Sequence, residues 1–177
     1  PGVLDLAFAT AERHGVNVVI GHDPDADRCA VALRQPDGQL RTLMGDELGM
    51  LLAGWLLETG RITHGTLALS LVSHSALEAL GSGHGLDTVR TLTGFKWIAA
   101  VPELAFGYEE AIGYCLYPNI VRDKDGLSAA LGVVEAMHWL ADQQKTLGDY
   151  LTELAERYGH TASAKKTVPL PAGTDAT

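Results

Sequence analysis

Val16-Asn17-Val18-Val19-Ile20-Gly21-His22-Asp23-Pro24-Asp25-Ala26-Asp27-Arg28 is the stretch that sets the fold class. Its opening apolar run has the length of a short buried strand, and it ends directly in an acidic loop. Cys29–Leu33 resumes the apolar pattern as a second strand, and Gln35-Pro36-Asp37-Gly38 has turn chemistry. Upstream, Leu4, Ala7, Phe8 and Ala11 recur at helical spacing, with Gly15 as a stop. Downstream a new unit begins near Met44, where Asp46 is placed to cap a helix running to about Glu58. That helix is apolar all round its middle, the pattern of a well-buried helix. Strands are expected at Thr66–Val72, Thr88–Leu92 and Leu104–Tyr108, with helical segments at Ala76–Leu80 and between Phe95 and Pro102. Gly126–Asp142 and Leu147–Tyr158 are two further helices, the second stopped by Gly159. Strands alternating with helices predict an α/β architecture.

Composition narrows the function. Apolar residues make up 46% and charged residues 20% of the 177, as in globular domains. A net charge of −9 argues against nucleic acid as a partner, because phosphate backbones require basic surface. A small phosphorylated ligand stays possible, since a few local donors and a metal suffice to hold it. The longest apolar stretch, Leu48–Leu57, is broken by Gly49 and Gly54 and is too short to span a bilayer. Cys29 and Cys115 have no metal-type spacing, so they read as buried free thiols in a reducing, cytoplasmic setting. The chain opens on helix at Pro1 as though cut from something longer. Its small, polar tail, residues 161–177, reads as a linker.

Asp23, Asp25 and Asp27 alternate in one turn, and carboxylates so crowded repel until a divalent cation relieves them. Hard oxygen donors select Mg²⁺, Mn²⁺ or Ca²⁺ over zinc. Arg28 adds a fork suited to a phosphate beside the metal. A solvated acidic turn is the plainer alternative. An EF-hand loop fails, because its glycine and bidentate glutamate positions hold Arg28 and Arg34. An aspartyl phosphotransferase of the haloacid-dehalogenase type also sets Asp-x-Asp after a buried strand, but it normally has Thr or Val where Asp27 stands. Gly81-Ser82-Gly83-His84-Gly85 lacks the Lys-Ser/Thr of a phosphate cradle and reads as a flexible turn. His22 adjoins the acidic loop, yet neither it nor the other histidines has partner spacing that assigns a role.

Four segments in order carry a family resemblance. Asp23-Pro24-Asp25-Ala26-Asp27-Arg28 resembles the metal-binding loop of the α-D-phosphohexomutase superfamily, which includes phosphoglucomutases and phosphomannomutases. Thr91-Leu92-Thr93-Gly94-Phe95-Lys96-Trp97-Ile98 is similar to its loop between metal and sugar sites. Gly107-Tyr108-Glu109-Glu110-Ala111-Ile112-Gly113 resembles its sugar-binding loop, with Ala111 in place of the usual Ser. Arg122-Asp123-Lys124-Asp125-Gly126 resembles the Lys-Asp-Gly segment that follows. The wording with Tyr before the paired Glu is most similar to the phosphoglucomutase-2-like and phosphopentomutase-like branch.

The resemblance implies a mixed sheet flanked by helices, the family's third domain, over residues 40–160. Residues 1–38 would be the end of a similar second domain carrying the metal loop. It also implies Mg²⁺ on Asp23, Asp25 and Asp27, with Arg28 and Lys124 in catalytic roles. Thr93, Gly94, Lys96, Glu109 and Glu110 would bind the sugar. On spacing alone, a capped helix start is an equal reading of Glu109-Glu110. The implied reaction moves a phosphoryl group within a sugar phosphate through a sugar bisphosphate. The phosphoserine loop of a first domain and the phosphate loop of a fourth have no counterpart in the sequence; Ala172-Gly173-Thr174 lacks the Arg and Ser of the latter. A chain missing those domains is expected to be inactive alone. A binding module that holds phosphosugar without transfer is the alternative from another class.

Overall fold

A computed structural model describes residues 2–159. The tail from residue 161, with Ala172-Gly173-Thr174, lies outside the described residues. The first unit is helix α1 (Asp5–His14) followed by strands β1 (Val18–His22), β2 (Cys29–Arg34) and β3 (Leu40–Thr42). α1 ends at Gly15, which takes the left-handed conformation that releases the chain toward β1. The strands form an antiparallel sheet in sequence order. Leu40–Thr42 was not expected as a strand; it pairs with Ala32–Arg34 and so belongs to the first sheet.

The second unit holds α2 (Gly45–Glu58), β4 (Thr66–Ser70), α3 (Ala76–Gly83), β5 (Asp87–Thr91), α4 (Phe95–Ala99), β6 (Leu104–Glu109), β7 (Gly113–Cys115), α5 (Gly126–Ala141) and α6 (Leu147–Tyr158). Strand order is β5-β4-β6-β7, with β4 parallel to both β5 and β6, and β7 antiparallel to β6. The sheet is mixed and flanked by helices, as expected. β4 is covered on both faces: Leu67 and Leu69 enter the main core, while Ala68 packs with Phe95, Ile98 and Val101 under α4. That split is the two-residue alternation of a strand.

The first sheet shares this core. Cys29, Val31 and Leu33 of β2 join Leu48, Leu52, Trp55 and Val133 of α2 and α5, whereas Ala32 turns to Ala11 and Val19 beneath α1. Both cysteines are buried free thiols, and burial pushes each up to about 12. Among the described residues no helix is long and apolar enough to cross a membrane.

Two local expectations change. Asp46 does not cap α2; Met44 stands at the cap, and its N–H donates to Glu47 Oε2 at 2.7 Å. Asp46 is instead buried, and its Oδ1 accepts from His74 N (2.8 Å) and Tyr108 Oη (3.0 Å). Gly81-Ser82-Gly83 is the last turn of α3 rather than a free loop, and only His84 and Gly85 leave it.

Candidate metal and sugar site

The C-terminal ends of parallel β4, β5 and β6 all point to one edge of the second sheet. Crevices at such edges are where open α/β sheets bind ligands. Here the edge collects Ser70, Ser73, Thr93 and Gly94 with Lys96 in the first turn of α4, Glu109 at the end of β6 and Glu110 just after it. Glu109 Oε1 accepts from Gly94 N at 2.7 Å, which ties the β6 end to the start of α4. Glu110 Oε2 accepts from Ser70 Oγ (2.8 Å) and Ser73 Oγ (3.3 Å), and Glu110 N donates back to Ser73 Oγ (3.1 Å). The pair closes a strand and enters the turn to β7, so the capped-helix alternative is overturned. Thr93 is exposed and Gly94 half-buried; Lys96 is exposed, its Nζ 5.3 Å from the centre of the Trp97 ring.

The acidic loop packs beside the β6–β7 turn, where Cys29 N donates to Ile112 O. A ligand oxygen from each of Asp23, Asp25 and Asp27 falls within 4.8 Å of the others. The turn closes through Ala26 N to Asp23 O (3.0 Å), with Ala26 at a positive φ of 58°. Arg28 donates from its backbone N–H to Asp23 Oδ1 (3.1 Å) and from Nε to Oδ2 (2.7 Å). Partial desolvation works against the charged Asp23 carboxylate, but these Arg28 bonds outweigh it and hold the group at about 2. Arg28 is raised in turn by Asp23. His22 Nδ1 lies 3.0 Å from the Arg28 carbonyl oxygen, which can only accept, so Nδ1 carries the hydrogen. Sequence spacing left His22 without a role; the fold gives it the base of the loop.

Two backbone bonds fasten the acidic loop to the second unit. Cys29 N donates to Ile112 O and Gly126 N to Ala26 O, each at 3.1 Å. Gly126 opens α5, and a Cβ there would sit 2.5 Å from Arg28 O and 2.6 Å from Ala26 O. Only glycine permits that approach. Asp125 caps α5 by accepting from Leu127 N and Ser128 N. Lys124 Nζ pairs with Asp27 Oδ2, and this carboxylate raises the lysine further. Arg122 steadies the same segment by donating to Ala99 O (2.7 Å) and Val101 O (2.8 Å).

Fold and site together define an α/β domain with a carboxylate cluster bonded to the turn that follows its central parallel strands. The chain belongs to the phosphoglucomutase/phosphomannomutase family: residues 44–158 match the family's alpha/beta/alpha domain III. It is 41% identical over 167 residues to the Haemophilus influenzae protein named "Probable phosphomannomutase", covering 94% of this chain and 34% of that one. Against phosphopentomutase of Mus musculus it is 37% identical, covering 90% and 28%. Against glucose 1,6-bisphosphate synthase of the same organism it is 34% identical, covering 91% and 28%. The solved open form of parafusin, a phosphoglucomutase from Paramecium, shares the fold at a TM-score of 0.67 and 22% identity, covering 81% of this chain and 25% of that one. The chain thus spans about a third of the length of the curated relatives it matches. Membership removes the support for an aspartyl phosphotransferase.

Proposed function

We propose that this chain is the metal-loop and sugar-loop portion of a Mg²⁺-dependent phosphosugar mutase. The reaction moves a phosphoryl group between the C1 and C6 (or C5) hydroxyls of a sugar phosphate through a bisphosphate. The observation that carries this is the convergence of the two loops, joined by the Lys124–Asp27 pair and the Cys29–Ile112 bond. Relatives named as a phosphomannomutase, a phosphopentomutase and a glucose 1,6-bisphosphate synthase support the substrate class.

Asp23, Asp25 and Asp27 offer three hard oxygen donors, a set that fits Mg²⁺. When bound, the cation supplies charge neutralisation to the transferring phosphoryl group. Arg28 keeps Nε on Asp23 and leaves its terminal nitrogens, without partners among the described residues, for a phosphate. Lys124 is held as an ammonium by Asp27, which suits a phosphate contact or proton donation rather than a general base. Glu109 presents its second oxygen to sugar hydroxyls while its first holds Gly94; Thr93 and Lys96 line the same side. Glu110 stands at the turn beside them. Ala111 offers no hydroxyl where the family usually has one, so sugar choice rests on the remaining groups.

The remaining domains would supply the phosphoserine and the distal phosphate loop, and the isolated chain is expected to perform no transfer. The test is a coupled assay of a chain of full family length, with hexose and pentose 1-phosphates and a trace of glucose 1,6-bisphosphate. Turnover that disappears with chelator supports the proposal, and no turnover on any sugar phosphate overturns it. A phosphosugar-binding module without catalysis would show in the same assay as binding without turnover.

A further inference from the structure

We propose that Glu110 is a positioning residue: together with Ser70 and Ser73 it fixes the β6–β7 turn so that Glu109 is held against Gly94. This rests on the proposed sugar-facing role of Glu109. Ser70 and Ser73 are 0% and 5% exposed, and with Asp46 they are the buried polar side chains among the described residues. A buried hydroxyl needs a partner, and the two serine hydroxyls, 2.8 Å apart, share their two hydrogens between each other and Glu110 Oε2, which comes from the turn after β6 about forty residues away. The bond from Glu110 N to Ser73 Oγ makes the contact reciprocal, so side chain and backbone are both held.

The serines are themselves braced. Asp46 Oδ1 accepts from His74 N, next to Ser73, and from Tyr108 Oη on β6. Arg90 donates from Nη1 to the carbonyls of Ser73 (3.1 Å) and Leu71 (3.3 Å). Behind the turn, Gly45 of α2 lies so close to the Glu110 carbonyl that a Cβ would overlap it, and Tyr114 Oη donates to Gly45 O at 3.2 Å. Glu109 is the last residue of β6 and Glu110 the first of the turn. With Glu110 held to the serines by side chain and backbone, the end of β6 is fixed where Glu109 Oε1 meets the Gly94 amide. The linkage runs from core serines through Glu110 to Glu109 and Gly94 at the start of α4.

Amide hydrogen exchange of Gly94, followed by NMR in this chain, reads the position of Glu109 without requiring catalysis. Glu110→Ala and Ser73→Ala are each expected to lower Gly94 protection by about tenfold, as Glu109→Ala does, on the scale of one charge-assisted hydrogen bond. Amides of α5 and α6 should keep theirs. Glu110→Gln retains an acceptor for the serines and should stay within about threefold of the parent. Unchanged Gly94 protection in both Glu110→Ala and Ser73→Ala overturns the proposal, even if thermal stability falls. So does an equal loss at every amide in both variants. The functional reading fails separately: undiminished turnover of Glu109→Gln in a chain of full family length would remove Glu109 from the sugar site, whatever Gly94 shows.

Discussion

Gly126→Ala probes how the acidic loop is held. The added methyl would lie 2.5 Å from Arg28 O and 2.6 Å from Ala26 O, whereas Cβ atoms essentially never approach a heavy atom within 3.0 Å. Both obstacles are backbone, so no side chain can swing aside, and either the loop or the start of α5 must shift by about half an ångström. Overpacking of this kind costs about 1–3 kcal/mol. The better helix propensity of Ala returns at most about 1 kcal/mol, and less at a helix start than in its interior. A net loss of about 1–2 kcal/mol lowers Tm by roughly 2–8 °C in a chain of this size. Because the displaced atoms are the carbonyls of Ala26 and Arg28, Mg²⁺ affinity measured by calorimetry should weaken several-fold as well. Gly60→Ala is the control: Gly60 has a φ of +69° with nothing within 4 Å of a Cβ, so the change should lower Tm and leave Mg²⁺ binding alone. A Gly126→Ala chain with parental Tm and parental affinity would refute the account of the loop.

Asp25→Asn removes one of three clustered carboxylates and should weaken Mg²⁺ binding at least about tenfold, with Tm unchanged or raised because repulsion falls; equal affinity would remove Asp25 from the cation site. Asp23 sits at about 2 against an ordinary 3.8, so its contribution to stability is complete above about pH 4 and is lost as pH falls through about 2. Denaturant midpoints measured from pH 6 to 2 should therefore drop less steeply at the acid end in Asp23→Asn than in the parent. Trp55, 1% exposed in α2, should cost about 3–5 kcal/mol on truncation to Ala, read as a fall in urea midpoint at constant slope. Beryllofluoride should form no aspartyl adduct at Asp23 or Asp25, and a trapped adduct seen by mass spectrometry would reopen the phosphotransferase reading.

Elements with a full period were legible in the sequence. α6 runs Leu147–Tyr158 as its spacing indicates, and α1, α5 and the three parallel strands fall within a few residues of expectation. β3 and β7 were not, because three residues cannot display a two-residue alternation, and β7 begins at a glycine. Asp46 carried a true signal, an acid at a helix start, that admitted two outcomes. Tertiary contacts with His74 and Tyr108 chose burial over capping. Ser70 and Ser73 had no signal at all. A serine looks the same in sequence whether it faces water or a carboxylate, and only the placement of β6 beside β4 brings Glu110 to them.

The acidic loop and the sugar loop fall on either side of the break drawn from sequence near residue 40, yet they behave as parts of one body. β2, which follows the acidic loop, sends Cys29, Val31 and Leu33 into the same core as α2 and α5. Cys29 N is bonded to Ile112 in the β6–β7 turn, and Gly126 to Ala26, so neither loop can move far without breaking backbone hydrogen bonds of the other. The acidic loop and the β6–β7 turn are therefore held together by backbone bonds within this chain. On the proposed mutase reading, where positioning and charge supply most of the acceleration of phosphoryl transfer, a substrate would meet the two loops already in place.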